Sequence, residues 1–330
     1  MSLLTTLARW FLPTPPPAPE VRAGLDRVCE IVDPLLKNVP DLDKRLAEPV
    51  ASALDYCERM VSTMPAALYV DRTAFASDPL VHAMFATADD ITQLLGSSEA
   101  IRDYLAEPVS ARSEEIHAML AARRFVKKTL GVAMDGDIIH NDVPVEYLYF
   151  SDHLLVIPAP DPAAHHQLLR QRAFDSLLKS FRVHLKMLRE ERQALRDERA
   201  AEGDQVSLMR ATAQESELVE HTRRLDDLDV RLRACAEALQ PEHIVEALAE
   251  FLRAPESALH LEPLCITVDR SGVISDQCPI DHPGVDSINF QQIVGRDRRR
   301  YIVRCVKFSR ADALLAVEAV KDVQRRYLII

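Results

Sequence analysis

Hydrophobic residues follow their most regular pattern between residues 163 and 240, a stretch that contains no proline. On either side of Gly203 they recur at alternating spacings of four and three residues, which is the pattern of a coiled-coil seam. The predicted seam residues are Phe174, Leu178, Phe181, Leu185, Leu188 and Leu195 before the glycine, and Leu218, Leu225, Leu228, Leu232 and Leu239 after it.

The seam pattern is interrupted between residues 200 and 217, where Gly203 lies among small and polar residues. One glycine costs a helix interior only about 1 kcal/mol, so Gly203 alone does not decide whether the chain turns. The arms also differ in charge: residues 164–199 hold nine Lys/Arg against five Asp/Glu, and residues 205–239 hold five against seven. Together these features favour an antiparallel hairpin, with its turn near residues 200–206, over one continuous rod.

Residues 21–131 are predicted to form a helical domain. Small polar residues such as Thr87 mark helix starts, and Gly131 stands where a helix C-cap is expected. Before this domain, residues 1–20 combine an apolar arm with a proline-rich linker. Contact of residues 1–12 with a membrane surface stays open, and it would be weak because the arm carries a single arginine.

Residues 132–162 and 241–330 contain short runs rich in β-branched and aromatic residues, which predict strands. Asp135-Gly136, between two apolar pieces, predicts a hairpin turn. Because strands flank residues 163–240 on both sides, we expect the two flanks to form one base from which the hairpin projects. The predicted fold class is a predominantly helical α+β protein with an N-terminal helical domain, a small sheet-containing base and a long antiparallel coiled-coil hairpin.

Composition narrows the class of protein. The chain has 330 residues, of which 48% are hydrophobic and 28% charged, as is typical of a folded globular protein. Its net charge of −11 argues against non-specific nucleic-acid binding over the whole surface. No apolar run reaches the roughly 20 residues of a membrane span, and the first residues lack the features of a secretory signal. The expected location is therefore cytoplasmic.

Candidate catalytic residues are few. The sequence has no C-x-x-C pair, nucleophile elbow, P-loop, dinucleotide fingerprint or zinc-protease motif. Asp135, Asp137 and His140 could in principle bind a hard cation or exchange protons. However, they coincide with the predicted turn, where Asp and Gly serve the backbone. We therefore expect no catalytic residue, metal site or cofactor.

The most asymmetric charge distribution lies in residues 295–310, which carry seven basic residues against Asp297 alone. Clustered arginines can bind phosphates through their planar guanidinium groups. These residues could equally pair with acidic surfaces of the same chain, bind a protein partner or protect an edge strand. The candidate phosphate- or partner-binding residues are Arg296, Arg298, Arg299, Arg300, Arg304, Lys307 and Arg310.

Three hypotheses of function follow. The leading one is a non-enzymatic interaction or scaffold protein, whose coiled-coil hairpin serves a protein partner or homodimer formation. The alternative is a nucleic-acid or phosphate-binding protein that uses the basic strand at residues 295–310, although that segment offers few aromatic residues for stacking on bases. The third is a metal-dependent hydrolase at Asp135, Asp137 and His140, which matches no established motif.

Overall fold

The computed structural model describes residues 18–135, 138–209, 215–269, 272–275, 285–295 and 300–327. The helices there are α1 (Pro19–Ile31), α2 (Leu42–Ser62), α3 (Arg72–Ser77), α4 (Pro79–Met84), α5 (Ala88–Ser97), α6 (Glu99–Ala106), α7 (Pro162–Met209), α8 (Glu215–Ala238), α9 (Pro241–Arg253) and α10 (Arg310–Tyr327). The strands are β1 (Leu68–Tyr69), β2 (Glu115–Asp135), β3 (Ile138–Ala159), β4 (Leu259–Asp269), β5 (Val285–Gly295) and β6 (Arg300–Ser309). The protein is a mixed α+β protein in which helices predominate, as the sequence predicts.

The chain divides into two compact units, each built from two separate segments. Residues 1–56 and 174–255 form the first unit, and residues 57–173 and 256–330 form the second. The boundaries fall within α2 and α7.

The first unit is helical in its described part. Proline at the first position of α1 and of α9 suits a helix start, because the N–H group that proline lacks would have no partner within the helix. Gly24 allows α1 to approach α2 closely, since a Cβ atom there would lie 2.6 Å from Val50 Cγ1. Further along the bundle, the rings of Phe181 and Phe251 are 5.4 Å apart and join α7 to α9.

The second unit is organised around a sheet with strand order β3-β2-β6-β5-β4, in which all neighbours are antiparallel. The short strand β1 adds a parallel pair to β6. One face of the sheet, which carries Ile116, Leu148, Phe290 and Phe308, shares a core with apolar residues of α4, α5, α6 and α10. Buried residues alternate along β5 with the period of two expected of a strand with one face on a core. In β6, which lies in the middle of the sheet, successive residues such as Cys305 and Val306 are both buried.

Residues 272–275 connect the two outermost strands of this order. The Leu148 N–H of β3 donates to Gly272 O at 2.9 Å, and the Ser275 N–H donates to Thr267 O of β4 at 2.9 Å. Gly272 has a φ of +82°, which favours glycine at this position. The segment therefore bridges β3 and β4 along their free edges.

Residues 115–131 correct one prediction, because they form the first part of β2 and not the end of a helical domain. Their Ala, Leu, Met, Arg and Lys content favours a helix locally. Pairing with β3 and with β6, about 190 residues further along the chain, overrides that preference. The hairpin expected at Asp135-Gly136 is confirmed by the pairing of Asp135 with Ile138.

The prediction of a turn near residues 200–206 is also wrong, because α7 continues without a break to Met209. No atom outside the local backbone lies within 4 Å of the place where a Cβ would stand at Gly203. Neither a turn nor a close approach therefore requires this glycine. A helix absorbs its modest cost, about 1 kcal/mol relative to alanine. None of the described helices has both the length and the apolar composition that crossing a membrane requires.

Candidate partner-binding surface on the helix pair

The helix pair consists of α8 and the part of α7 from Phe174 to Met209, both in the first unit. Arg199 Nε lies 2.6 Å from Asp229 Oδ1, and Arg224 Nη2 donates to Glu198 Oε1 at 2.9 Å. Glu202 also contacts Arg224, at 3.7 Å. Later residues of α7 thus meet earlier residues of α8.

The leucines of α8 that the seam prediction names differ in burial. Leu228 is buried, and Leu218, Leu225, Leu232 and Leu239 are half-buried. This is the pattern expected of a helix that packs on one side and is open to solvent on the others.

Burial on α7 extends beyond the predicted seam. Leu195 is buried and Leu188 is half-buried, as expected. The buried positions continue at Glu202 and Val206, inside the stretch where the sequence pattern appeared to be lost. The helical spacing of buried positions therefore continues from Leu195 to Val206, and the carboxylate of Glu202 occupies one of these positions.

The earlier seam residues have a different environment. Phe174, Leu178, Phe181 and Leu185 are all buried. Phe181 packs against Phe251 of α9, and the neighbouring Asp175 accepts hydrogen bonds of 3.0 and 2.6 Å from Arg27 of α1. This portion of α7 is thus anchored in the helical bundle, which the prediction of a freely projecting arm did not foresee.

Glu202 is the most deeply buried carboxylate of the helix pair, with 5% of its surface exposed. It accepts a hydrogen bond from His221 Nδ1 when that nitrogen carries the proton, and it lies beside Arg224. A buried charge is costly unless it is paired, so these contacts compensate for removing the carboxylate from water. Nearby, the hydrogen bond from Arg199 lowers the pKa of the Asp229 carboxyl. Polar groups at this seam are therefore held in specific pairs.

Large apolar side chains also lie on the outer sides of the helix pair. They are Val183, Met187, Leu208, Val219 and Val230. Met187 is 62% exposed, Leu208 74% and Val219 63%. Val183 and Met187 are one helical turn apart, and Val219 and Val230 are separated by about three turns. Val183 and Met187 thus form an apolar patch on one side of α7, whereas Arg223 and Asp226 lie between Val219 and Val230 on the same side of α8. We call these two pairs of exposed apolar residues the outer strips.

No family model, curated protein or solved structure matches this chain.

The basic strand at residues 295–310 does not present its described members as one surface. Arg300 is exposed and lies 3.7 Å from Glu262, whereas Lys307 lies 3.0 Å from Glu115 and 5.5 Å from the Tyr69 ring centre. Arg296, Arg298 and Arg299 lie outside the described residues.

Arg304 lies on the opposite face of β6 from Lys307, because three residues separate them on a strand. Burial lowers the pKa of its guanidinium group, and its Nε is buried without a hydrogen-bond partner among the described residues. Arg310 begins α10, and its Nε is likewise buried without such a partner. The described basic residues therefore point in different directions.

The metal hypothesis finds no site in the described part of the chain, where no group of three or more His, Cys, Asp or Glu residues is placed to hold an ion. The side chains of Asp135, Asp137 and His140 lie outside that part.

The sequence analysis missed Glu202 and the outer strips. Glu202 follows Arg199 at the three-residue spacing of the seam, so the continuing period was a usable signal. The exposure of Leu208 and Val219 was not predictable from spacing, because it depends on which side of each helix faces the other.

Proposed function

We propose that this is a non-enzymatic interaction protein, in which α7 and α8 form an antiparallel coiled-coil hairpin that binds a helical segment of a protein partner or of a second copy. The order of the ion pairs at Glu198, Arg199 and Glu202 supports the antiparallel arrangement. The alternating burial of both helices supports a seam between them.

The outer strips carry the proposal. Isolated exposed apolar residues are ordinary on protein surfaces. Here the helices have closed their own seam with Leu195, Val206 and Leu228, yet apolar residues remain on other sides at helical spacing. A third helix could bury them by the same packing that joins α7 to α8.

The nucleic-acid alternative at residues 295–310 has less support. Its described basic residues lie on two faces of β6 or pair within the chain, as Lys307 does with Glu115. A phosphate-binding surface would instead bring several free guanidinium groups together.

The proposal is tested by sedimentation velocity between about 1 and 200 µM, comparing the natural chain with a Val219→Glu/Val230→Glu variant. We expect the natural chain to associate and the variant to remain monomeric with an unchanged circular dichroism spectrum. A matched control, Ala234→Glu/Ala236→Glu, adds the same charge at exposed positions of the same helix and should associate normally.

A heterologous partner is tested by placing a photo-crosslinking residue at position 219, with position 236 as the control. Cross-linking to one protein at 219 and not at 236 would support a partner in place of a second copy. A natural chain that stays monomeric and shows no cross-link specific to position 219 would contradict the proposal.

A further inference from the structure

The β2–β3 hairpin extends well beyond the sheet that it begins in. β2 pairs with β6 only over residues 115–122. From Arg123 onward, β3 is its only partner among the described residues, and a register shift between Ala121 and Arg123 marks the change. We call this part of the hairpin, residues 123–135 and 138–151, the ribbon. Along the other edge of β3, Tyr147 pairs with Val273.

One face of the ribbon combines aromatic and basic side chains. Arg123 pairs with Ser151, Phe125 with Tyr149, and Lys127 with Tyr147. Paired residues of neighbouring strands share a face, and positions two apart along a strand share it too. Arg123, Phe125, Lys127, Tyr147 and Tyr149 therefore form one surface, which we call the aromatic–basic face.

The contacts on this face agree with that assignment. The rings of Phe125 and Tyr149 are 5.3 Å apart with their planes 16° from parallel. The Arg123 guanidinium lies 5.2 Å from the Phe125 ring centre, and Asp152 accepts a hydrogen bond from it at 3.3 Å. Tyr149 is 44% exposed and Lys127 is exposed, so ring and ammonium group are both accessible to a ligand.

Both faces of the ribbon carry basic residues, but acidic residues are distributed unequally between them. Between residues 143 and 151, the positions that share the aromatic–basic face are Val143, Val145, Tyr147, Tyr149 and Ser151, none of which is acidic. Glu146 belongs to the opposite face, where it lies 2.9 Å from Lys128. Among the positions from 123 to 131 and from 143 to 151, the aromatic–basic face thus carries Arg123 and Lys127 and no acidic residue, and Arg123 pairs with Asp152 beside it.

We propose that the aromatic–basic face binds single-stranded nucleic acid. Every base has a π-face that can stack on an aromatic side chain, and each stacked base contributes about 1–3 kcal/mol. Tyr147 and Tyr149 are two residues apart on one strand, about 7 Å, so they can serve successive bases. Lys127 and Arg123 supply positive charge beside the rings for the phosphates. Sheet surfaces that bind RNA combine stacking aromatics and basic residues in the same way.

An extended acidic peptide is the competing occupant, since it could add to the free edge of β2. Such a peptide would use backbone groups and positive charge on both faces of the ribbon, and it would not require the rings. The exposed ring pair favours nucleic acid.

The test is fluorescence anisotropy with labelled ten-nucleotide oligo-U and oligo-dT, a duplex of equal length and a polyglutamate peptide, at 50 and 200 mM salt. We expect both single-stranded oligonucleotides to bind, and to bind more weakly at the higher salt concentration. Comparing the affinities for oligo-U and oligo-dT shows whether RNA or DNA is preferred. Tyr149→Leu keeps an apolar strand residue but removes the stacking ring, and we expect at least a tenfold loss of affinity.

Charge reversal on the two faces supplies the matched control. Lys127→Glu lies on the aromatic–basic face, and Arg124→Glu makes the same change on the opposite face of the same strand. Lys127→Glu should weaken binding several-fold more than Arg124→Glu does. The proposal is overturned if single strands do not bind at 50 mM salt, if duplex or polyglutamate binds as tightly, or if Tyr149→Leu or Lys127→Glu has no greater effect than Arg124→Glu.

Discussion

The helix pair and the ribbon are both long, narrow pairs of elements, but they are held together differently. In the ribbon, each strand depends on the backbone of the other for its hydrogen bonds, and β2 and β3 are paired from Arg123↔Ser151 to Asp135↔Ile138. Each helix of the helix pair satisfies its own backbone. Its association depends on side chains alone, such as Leu228 and the contacts of Glu202.

This difference indicates which substitutions would destabilise each region. Substitutions at exposed positions of the ribbon, such as Lys127, act on side chains and leave the backbone ladder in place. Substitutions at the seam of the helix pair remove the interactions that join the two helices. The predictions below test the side-chain contacts of α7 and α8 and the burial of His165, from the largest expected effect to the smallest.

Phe181→Ala should lower the free energy of unfolding of the first unit by about 3–5 kcal/mol, because it opens a cavity between α7 and α9. Urea unfolding followed by circular dichroism measures the loss. Val183→Ala, at an exposed position of the same helix, should change stability by less than about 0.5 kcal/mol. Equal effects would show that α7 is not anchored in the bundle.

Glu202→Ala should destabilise the helix pair by roughly 1–3 kcal/mol, because it removes a buried charged partner from His221 and leaves a void in the seam. Thermal melting of the helical signal measures this loss, with Glu220→Ala at an exposed site as the control. Replacing both Glu202 and His221 with leucine should restore or raise stability. A single variant as stable as the natural chain would place Glu202 outside the seam.

His165, in the second unit, is a buried polar group whose environment differs from that of Glu202. It is buried with Nε2 lacking a partner among the described residues, and burial lowers its pKa to about 4. The unfolded chain therefore takes up a proton below about pH 6.5 that the folded chain refuses until about pH 4. Stability should fall with acidification across this window.

Between pH 7 and pH 5, we expect His165 to lower the free energy of unfolding by roughly 1–2 kcal/mol. Denaturant titrations of the natural chain and of His165→Asn at both pH values isolate it, because other titrating groups are common to both. The variant should lose less stability on acidification than the natural chain. An identical loss would mean that His165 does not titrate differently in the folded state.

Gly203→Ala should stabilise the helix pair by about 0.5–1 kcal/mol, because the position is helical and the added methyl group meets open space. A small upward shift of the helical melting curve is the expected result. Destabilisation would be the outcome if the chain turned at Gly203 with a positive φ, as the sequence pattern suggested.

The helical majority and the hairpin at Asp135-Gly136 were predictable because each is encoded within a few neighbouring residues. Residues 115–131 were not, because their strand depends on pairing with β6, whose residues lie far away in the sequence. The buried Glu202 hid the continuing seam, since a carboxylate normally indicates an exposed position. The aromatic–basic face escaped prediction for a related reason: only strand pairing brings Tyr147 and Tyr149 beside Arg123 and Lys127.

The antiparallel hairpin is the central claim, and one distance tests it most directly. Nitroxide labels are placed at Glu191 and Arg233, both exposed, after Cys235, Cys265 and Cys278 are replaced by serine. Excess unlabelled protein suppresses intermolecular signals in the double electron–electron resonance measurement. A hairpin whose helices pack at 8–10 Å predicts a label separation below about 30 Å. A continuous rod would place the labels about 63 Å apart, at 1.5 Å per residue, and that result would contradict the account.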